Sequence, residues 1–189
     1  MTMTNSQRRV DLVAFLDSHR TGTTPHIFGD LQSHLIGVES LVRDWGGSDF
    51  LALAALAHAT YGTDGFEPHI LELADRPVLA AIVGAEVEAL VYFYASCDRN
   101  YFYPQLEAAG TALPDLRFRD RFTHTEVTPE PADVRRFVDL TYANECELAA
   151  ASPGGAAEWT WLADFCRQTG RWATPSFSAG AAALLQGDG

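Results

Sequence analysis

Apolar positions recur every three to four residues along most of the chain, and scarcely any stretch alternates apolar with polar. This period predicts an all-α fold, a helical bundle of about seven helices. Val10, Leu12, Val13, Phe15 and Leu16 define a first helix, from Ser6 as a candidate N-cap to His19. A second runs from about Phe28 to Trp45. Its stripe is Leu31, Leu35, Val38, Leu41 and Val42, and Gly46-Gly47 sets its end. Ser48-Asp49 caps a third, Phe50 to about Tyr61, whose LALAALAHA run is apolar nearly all round and therefore central. Arg76-Pro77 opens a fourth, through Ile82 and Val83 to Gly84. Residues 85–96 fit a helix or a buried strand, and Glu86 and Glu88 near a positive helix terminus favour helix. Residues 100–127 show few periodic positions and read as a long irregular connection with short helical turns. Thr128-Pro129-Glu130-Pro131 starts a helix striped by Val134, Phe137, Val138, Thr141, Glu145 and Leu148, which stops before Ser152-Pro153-Gly154-Gly155. Another helix follows from Ala156 to Gly170, and SAGAAA reads as a weak terminal one.

Length and composition narrow the setting. The 189 residues, 47% hydrophobic and 20% charged, fit one domain over 1–189 with a core of its own. A formal charge of −12 repels phosphate backbones and anionic bilayers, which argues against nucleic acid and membrane partners. No run of about 18 uncharged apolar residues occurs, and no apolar segment follows the arginines of MTMTNSQRRV, so neither a membrane span nor a secretion signal is expected. Cys97, Cys146 and Cys166 are widely spaced without a CxxC pair, which suits buried thiols in a reducing cytoplasm. Gly-rich phosphate loop, GxSxG, HExxH and Rossmann signatures are absent.

Two histidines stand out because of their neighbours. His34 lies on the apolar stripe of the second helix among Leu31, Leu35 and Val38, and His58 closes the apolar run of the third. Buried imidazoles require partners, and inward-facing ones on consecutive helices can converge. The plainer role for each is a hydrogen bond to a main-chain carbonyl or a neighbouring carboxylate within the core.

SHLIGVESLV and LALAALAHATYG resemble the HD-domain superfamily, in which one histidine, a later His-Asp pair and a distal acid grip divalent metal. HLIGVESLVRDWG, AALAHATYGT, AEVEALVYFYASCDR and RRFVDLTYANECE look still more like a bacterial HD-like family of unassigned function, over most of residues 8–150. The resemblance implies an HD-like core at about 8–150 followed by C-terminal helices at 156–189. It also implies a metal held by His34, His58 and Glu145, with Asn144 or Glu147 as other candidates on that helix. Ala59 occupies the position of the superfamily's metal-bridging aspartate. Imidazole with carboxylate suits Fe, Mn, Co, Ni or Zn.

These residues give two functional expectations. One is a metal-dependent enzyme, hydrolytic or oxidative, acting on a small polar molecule with His34, His58, Tyr61 and Glu145 as catalytic groups. The other is a metal-free helical module that binds a small molecule without catalysis, its pocket lined by His34, His58, Tyr61 and Asn144. Tyr61 and Thr63 follow His58 in a sharp turn, and Arg76 and Arg99 are candidate anion anchors where cations are few. His26, Glu86 and Asn144 complete the candidate ligand-binding set. An interaction protein using the aromatic surface at Tyr101–Tyr103 is a third reading. Oligomeric state is open.

Overall fold

The computed structural model describes residues 3–108 and 115–186. Among them, nine α-helices and two small antiparallel ribbons form a mainly helical molecule. The helices are α1 (Asn5–Ser18), α2 (Leu31–Asp44), α3 (Asp49–Ala57), α4 (Arg76–Val83), α5 (Ala85–Ala95), α6 (Arg99–Glu107), α7 (Pro131–Ala151), α8 (Thr160–Thr169) and α9 (Pro175–Gln186). Strands β1 (Pro25–His26) and β2 (Gly29–Asp30) pair as one ribbon, and β3 (Phe118–Arg119) and β4 (Glu126–Val127) as the other.

The expected all-α description and the count of about seven helices are corrected at particular places. Residues 28–30 belong to the β1–β2 hairpin rather than to α2, whose N-cap is Asp30, accepting from the Ser33 amide at 2.9 Å. Residues 100–127 are not an irregular connection: α6 and the β3–β4 ribbon lie within them. Helix α6 escaped the periodic reading because RNYFYPQLE holds an interior proline and few good helix formers. Its Asp98 cap and the burial of Phe102 and Leu106, one turn apart, hold it in place. The ribbons are two residues per strand, too short to leave an alternating pattern. Elsewhere Ser48 caps α3 as the sequence implies, and residues 85–95 are helical.

Helix α3 is the centre of the packing. Residues Leu51–Ala57 are all buried, and α1, α2, α5 and α7 pack around it. Helix α7 crosses the same core and buries Phe137, Val138, Leu140, Tyr142 and Cys146. Burial raises the thiols of Cys97 and Cys146 well above their ordinary range, which keeps them inert, and Cys166 is pushed up to about 12. Among the described residues, no helix is long and apolar enough to cross a membrane.

Asp139 ties α7 to the segment ahead of α9. Its carboxylate accepts from the Thr174 amide at 2.7 Å and the Thr174 hydroxyl at 2.6 Å, while burial raises its pKa. Asp139→Ala leaves two donors without their acceptor and is expected to lower unfolding free energy by about 1–3 kcal/mol. Urea titration measures this, and an unchanged midpoint would show that water replaces the carboxylate at no loss.

Candidate functional site

The sequence of α2 determines where His34 points. It shares a face with Leu31, Leu35 and Val38, so the stripe that buries those leucines carries the imidazole inward to 4% exposure. Its Nδ1 meets Glu147 Oε2, and its Nε2 lies 3.1 Å from Asn144 Oδ1. The Asn144 amide nitrogen donates to Glu145 Oε1 at 3.1 Å, which fixes the oxygen end of that side chain toward the ring. Both His34 nitrogens therefore face oxygen acceptors on α7. Gly37 permits this approach, because a Cβ there would lie 2.8 Å from Glu147 Cγ.

His58 sits at the C-terminal cap of α3, just where the helix stops. Its Nδ1 donates to the Ala55 carbonyl at 2.7 Å, so the unprotonated nitrogen of the neutral ring is Nε2. Burial, then the nearby His34 and Arg99, hold its pKa down to about 3. The rings of His34 and His58 meet edge to face with centroids 5.2 Å apart. His26, carried over from the β1–β2 hairpin, stacks on His34 at 4.1 Å, and burial followed by His34 lowers it to about 4. The chain turns away from His58 at Gly62, whose φ of +69° and close approach to the Phe66 and Glu67 carbonyls suit glycine.

These side chains surround a cavity of about 110 Å³, room for a few water molecules or a small polar group. Thr63, Asp64, Arg99, Asn144 and Glu145 line it with the three histidines. The Arg99 Nη1 lies 3.4 Å from Glu145 Oε1, its Nη2 donates to the Tyr94 hydroxyl at 3.2 Å, and its main-chain amide donates to Asp64 at 2.8 Å. A recess of about 400 Å³ adjoins the cavity and shares Asp64, Gly65 and Arg99 with it. A larger recess of about 670 Å³ lies between α8 and α9, where Cys166 and Leu185 give it a mainly apolar wall. The site is placed at the smaller cavity because titratable and polar groups converge there.

Of the residues singled out from the sequence, His26, His34, His58, Thr63, Arg99, Asn144 and Glu145 all reach this cavity. Tyr61, Arg76 and Glu86 do not, and their expected roles there are corrected. The Tyr61 hydroxyl donates to Glu88 Oε1 at 3.0 Å, Arg76 grips Glu88 through Nε at 2.6 Å and Nη2 at 2.9 Å, and Arg76 lies over the Tyr92 ring. A carboxylate as buried as Glu88 needs those partners, and it draws both side chains to itself. Glu86 is exposed in the first turn of α5, where a negative charge suits the helix dipole. Asp64, Tyr94 and Tyr103 were missed as site residues. Asp64 carried a signal, its place in the turn after His58, whereas the tyrosines read as core aromatics.

The fit of this donor set to a metal is poor. Among the described residues no three His, Cys, Asp or Glu side chains gather as a ligand group. Ala59 is buried where the HD pattern has aspartate, both His34 nitrogens are engaged, and Glu145 faces Asn144 and a guanidinium cation. A dication would share the cavity with Arg99 and displace its contacts.

Comparison with known proteins adds a family without assigned chemistry. No curated protein and no solved structure matches the chain. Residues 15–99 are similar to a family described as a domain of unknown function (DUF6817), a stretch that supplies His26, His34, His58, Thr63, Asp64 and Arg99 to the cavity but ends before α7.

Proposed function

We propose that the chain is a metal-free small-molecule-binding protein on an HD-like helical scaffold, its inner cavity closing around a polar group of the ligand. The HD-like assignment draws support from chain order: a histidine on α2, a histidine at the end of α3 and polar groups on α7 meet at one point. The observation that carries the metal-free reading is that Glu147 and Asn144 engage both nitrogens of His34 while the Arg99 guanidinium enters the same cavity. In this reading Arg99 supplies the positive charge that metal supplies in HD proteins. Its N–H groups meet an acceptor on the ligand, and His58 Nε2 receives a ligand hydrogen.

A second reading is an HD-like metal-dependent hydrolase or oxygenase, with His34, His58 and Glu145 holding a divalent transition metal. Glu147 on His34 Nδ1 favours it, since a carboxylate behind the ring commonly orients a metal-bound histidine. Metal analysis of protein purified without chelator, with melting curves before and after stripping, separates the two. The expected result is metal well below one equivalent and a melting temperature unmoved by added Fe, Mn, Co, Ni or Zn. A metabolite screen on stripped protein is then expected to give stabilising ligands whose effect is lost in His58→Gln. Stoichiometric metal whose removal unfolds the chain would replace the binding reading with the enzyme.

A further inference from the structure

The outer recess has unmatched polar chemistry of its own. Arg99 and Tyr103 lie one turn apart on α6 and line its wall. The Arg99 Nε and the Tyr103 hydroxyl are both buried and without a hydrogen-bond partner among the described residues. Buried donors of this kind are uncommon in folded proteins, because each forfeits its hydration without replacement. Two such groups on one wall call for an acceptor such as a carboxylate, which takes a guanidinium N–H and a hydroxyl together. The charges around them set a second condition. Asp64 and Glu107 line the same recess, Glu145 faces Arg99 from the inner cavity, and the chain as a whole carries −12. A purely anionic ligand would meet more negative than positive charge there.

We infer that the outer recess binds the head of a small zwitterion of the amino-acid class, with its carboxylate on Arg99 Nε and Tyr103 Oη and its ammonium toward the Asp64 carboxylate. This deepens the binding function proposed above and rests on it. The ligand's side group then extends past Arg99, which lines both compartments, into the cavity beside His58. At about 400 Å³ the recess holds a head group of this size together with some water.

The test is titration calorimetry of the full chain with free amino acids, each responder compared with its amide, its N-acetyl derivative and its decarboxylated amine. The expected result is that at least one free amino acid binds and that each derivative lacking a charge binds about tenfold more weakly or worse. Tyr103→Phe removes only the orphan hydroxyl. It is expected to weaken the responder by about tenfold while leaving the melting temperature of the free protein equal or higher, which separates a ligand contact from a structural one. Derivatives or Tyr103→Phe protein binding as tightly as the parent pair would overturn the proposal, and so would silence across the amino acids. In that last case a ligand from the metabolite screen that still depends on His58 leaves the inner-cavity reading standing, whereas silence in both experiments removes both.

Discussion

Acidification from about pH 7 to about pH 4 is expected to cost the folded chain on the order of 3 kcal/mol through His58 alone. The folded-state imidazole is held at about 3, chiefly by burial, whereas in the unfolded chain it titrates near the ordinary value of about 6.5. As pH falls through 6.5 the unfolded state takes up a proton that the folded state refuses, so the balance moves toward unfolding. The stability is fully present above about pH 6.5 and is lost progressively down to the folded value. His26, lowered to about 4, adds to the slope in the same direction and over nearly the same window. Urea midpoints measured at several pH values read the effect, and His58→Asn, which cannot titrate, isolates the contribution of that one ring. If wild type and variant lose stability in parallel, His58 is not held neutral in the fold.

Phe137→Ala is expected to lower unfolding free energy by roughly 3–5 kcal/mol, a large share of the 5–15 kcal/mol typical of whole domains. The ring is fully buried on α7 and packs against Phe93 and Tyr94 of α5 and Phe102 and Tyr103 of α6, with centroids 5.3 to 6.3 Å away. Its removal leaves a cavity where three helices meet, and edge-to-face contacts go with it. The consequence reaches the candidate site. Tyr94 and Tyr103 flank Arg99, whose guanidinium carbon lies 5.4 Å and 5.8 Å from their ring centroids. Loosening those rings loosens the cation that joins the inner cavity to the outer recess. Denaturant unfolding gives the energy, and Phe137→Leu, which keeps most of the volume, is expected to recover more than half of it. A loss below about 1 kcal/mol for the alanine variant would mean that the helices close over the gap.

The histidine pair shows why part of the site was legible before any coordinates. His34 interrupts a run of leucines and valines at helical spacing, and such a position is buried whatever the neighbouring helices are. His58 is marked by the glycine turn that follows an all-apolar helix. Asn144 and Glu145 lie in a helix whose start and stop are both punctuated by proline, so their place on an element, though not their partners, was readable. Tyr61 shows the opposite. It follows His58 by three residues, yet its hydroxyl is taken by Glu88, a residue 27 positions further along the chain. Hydrogen-bond demand at a buried carboxylate is a property of the packed core, and no local pattern carries it.

By itself, then, the sequence determined the helical character, most helix limits and the inward direction of His34 and His58, because period, caps and glycine turns act within a few residues. Tertiary structure decided which oxygen each imidazole meets, that Arg99 comes from α6 to share their cavity, and that Tyr61 and Arg76 serve Glu88 instead. Those outcomes depend on contacts between residues far apart in the chain, where burial forces every polar group to find whatever partner the packing brings within reach.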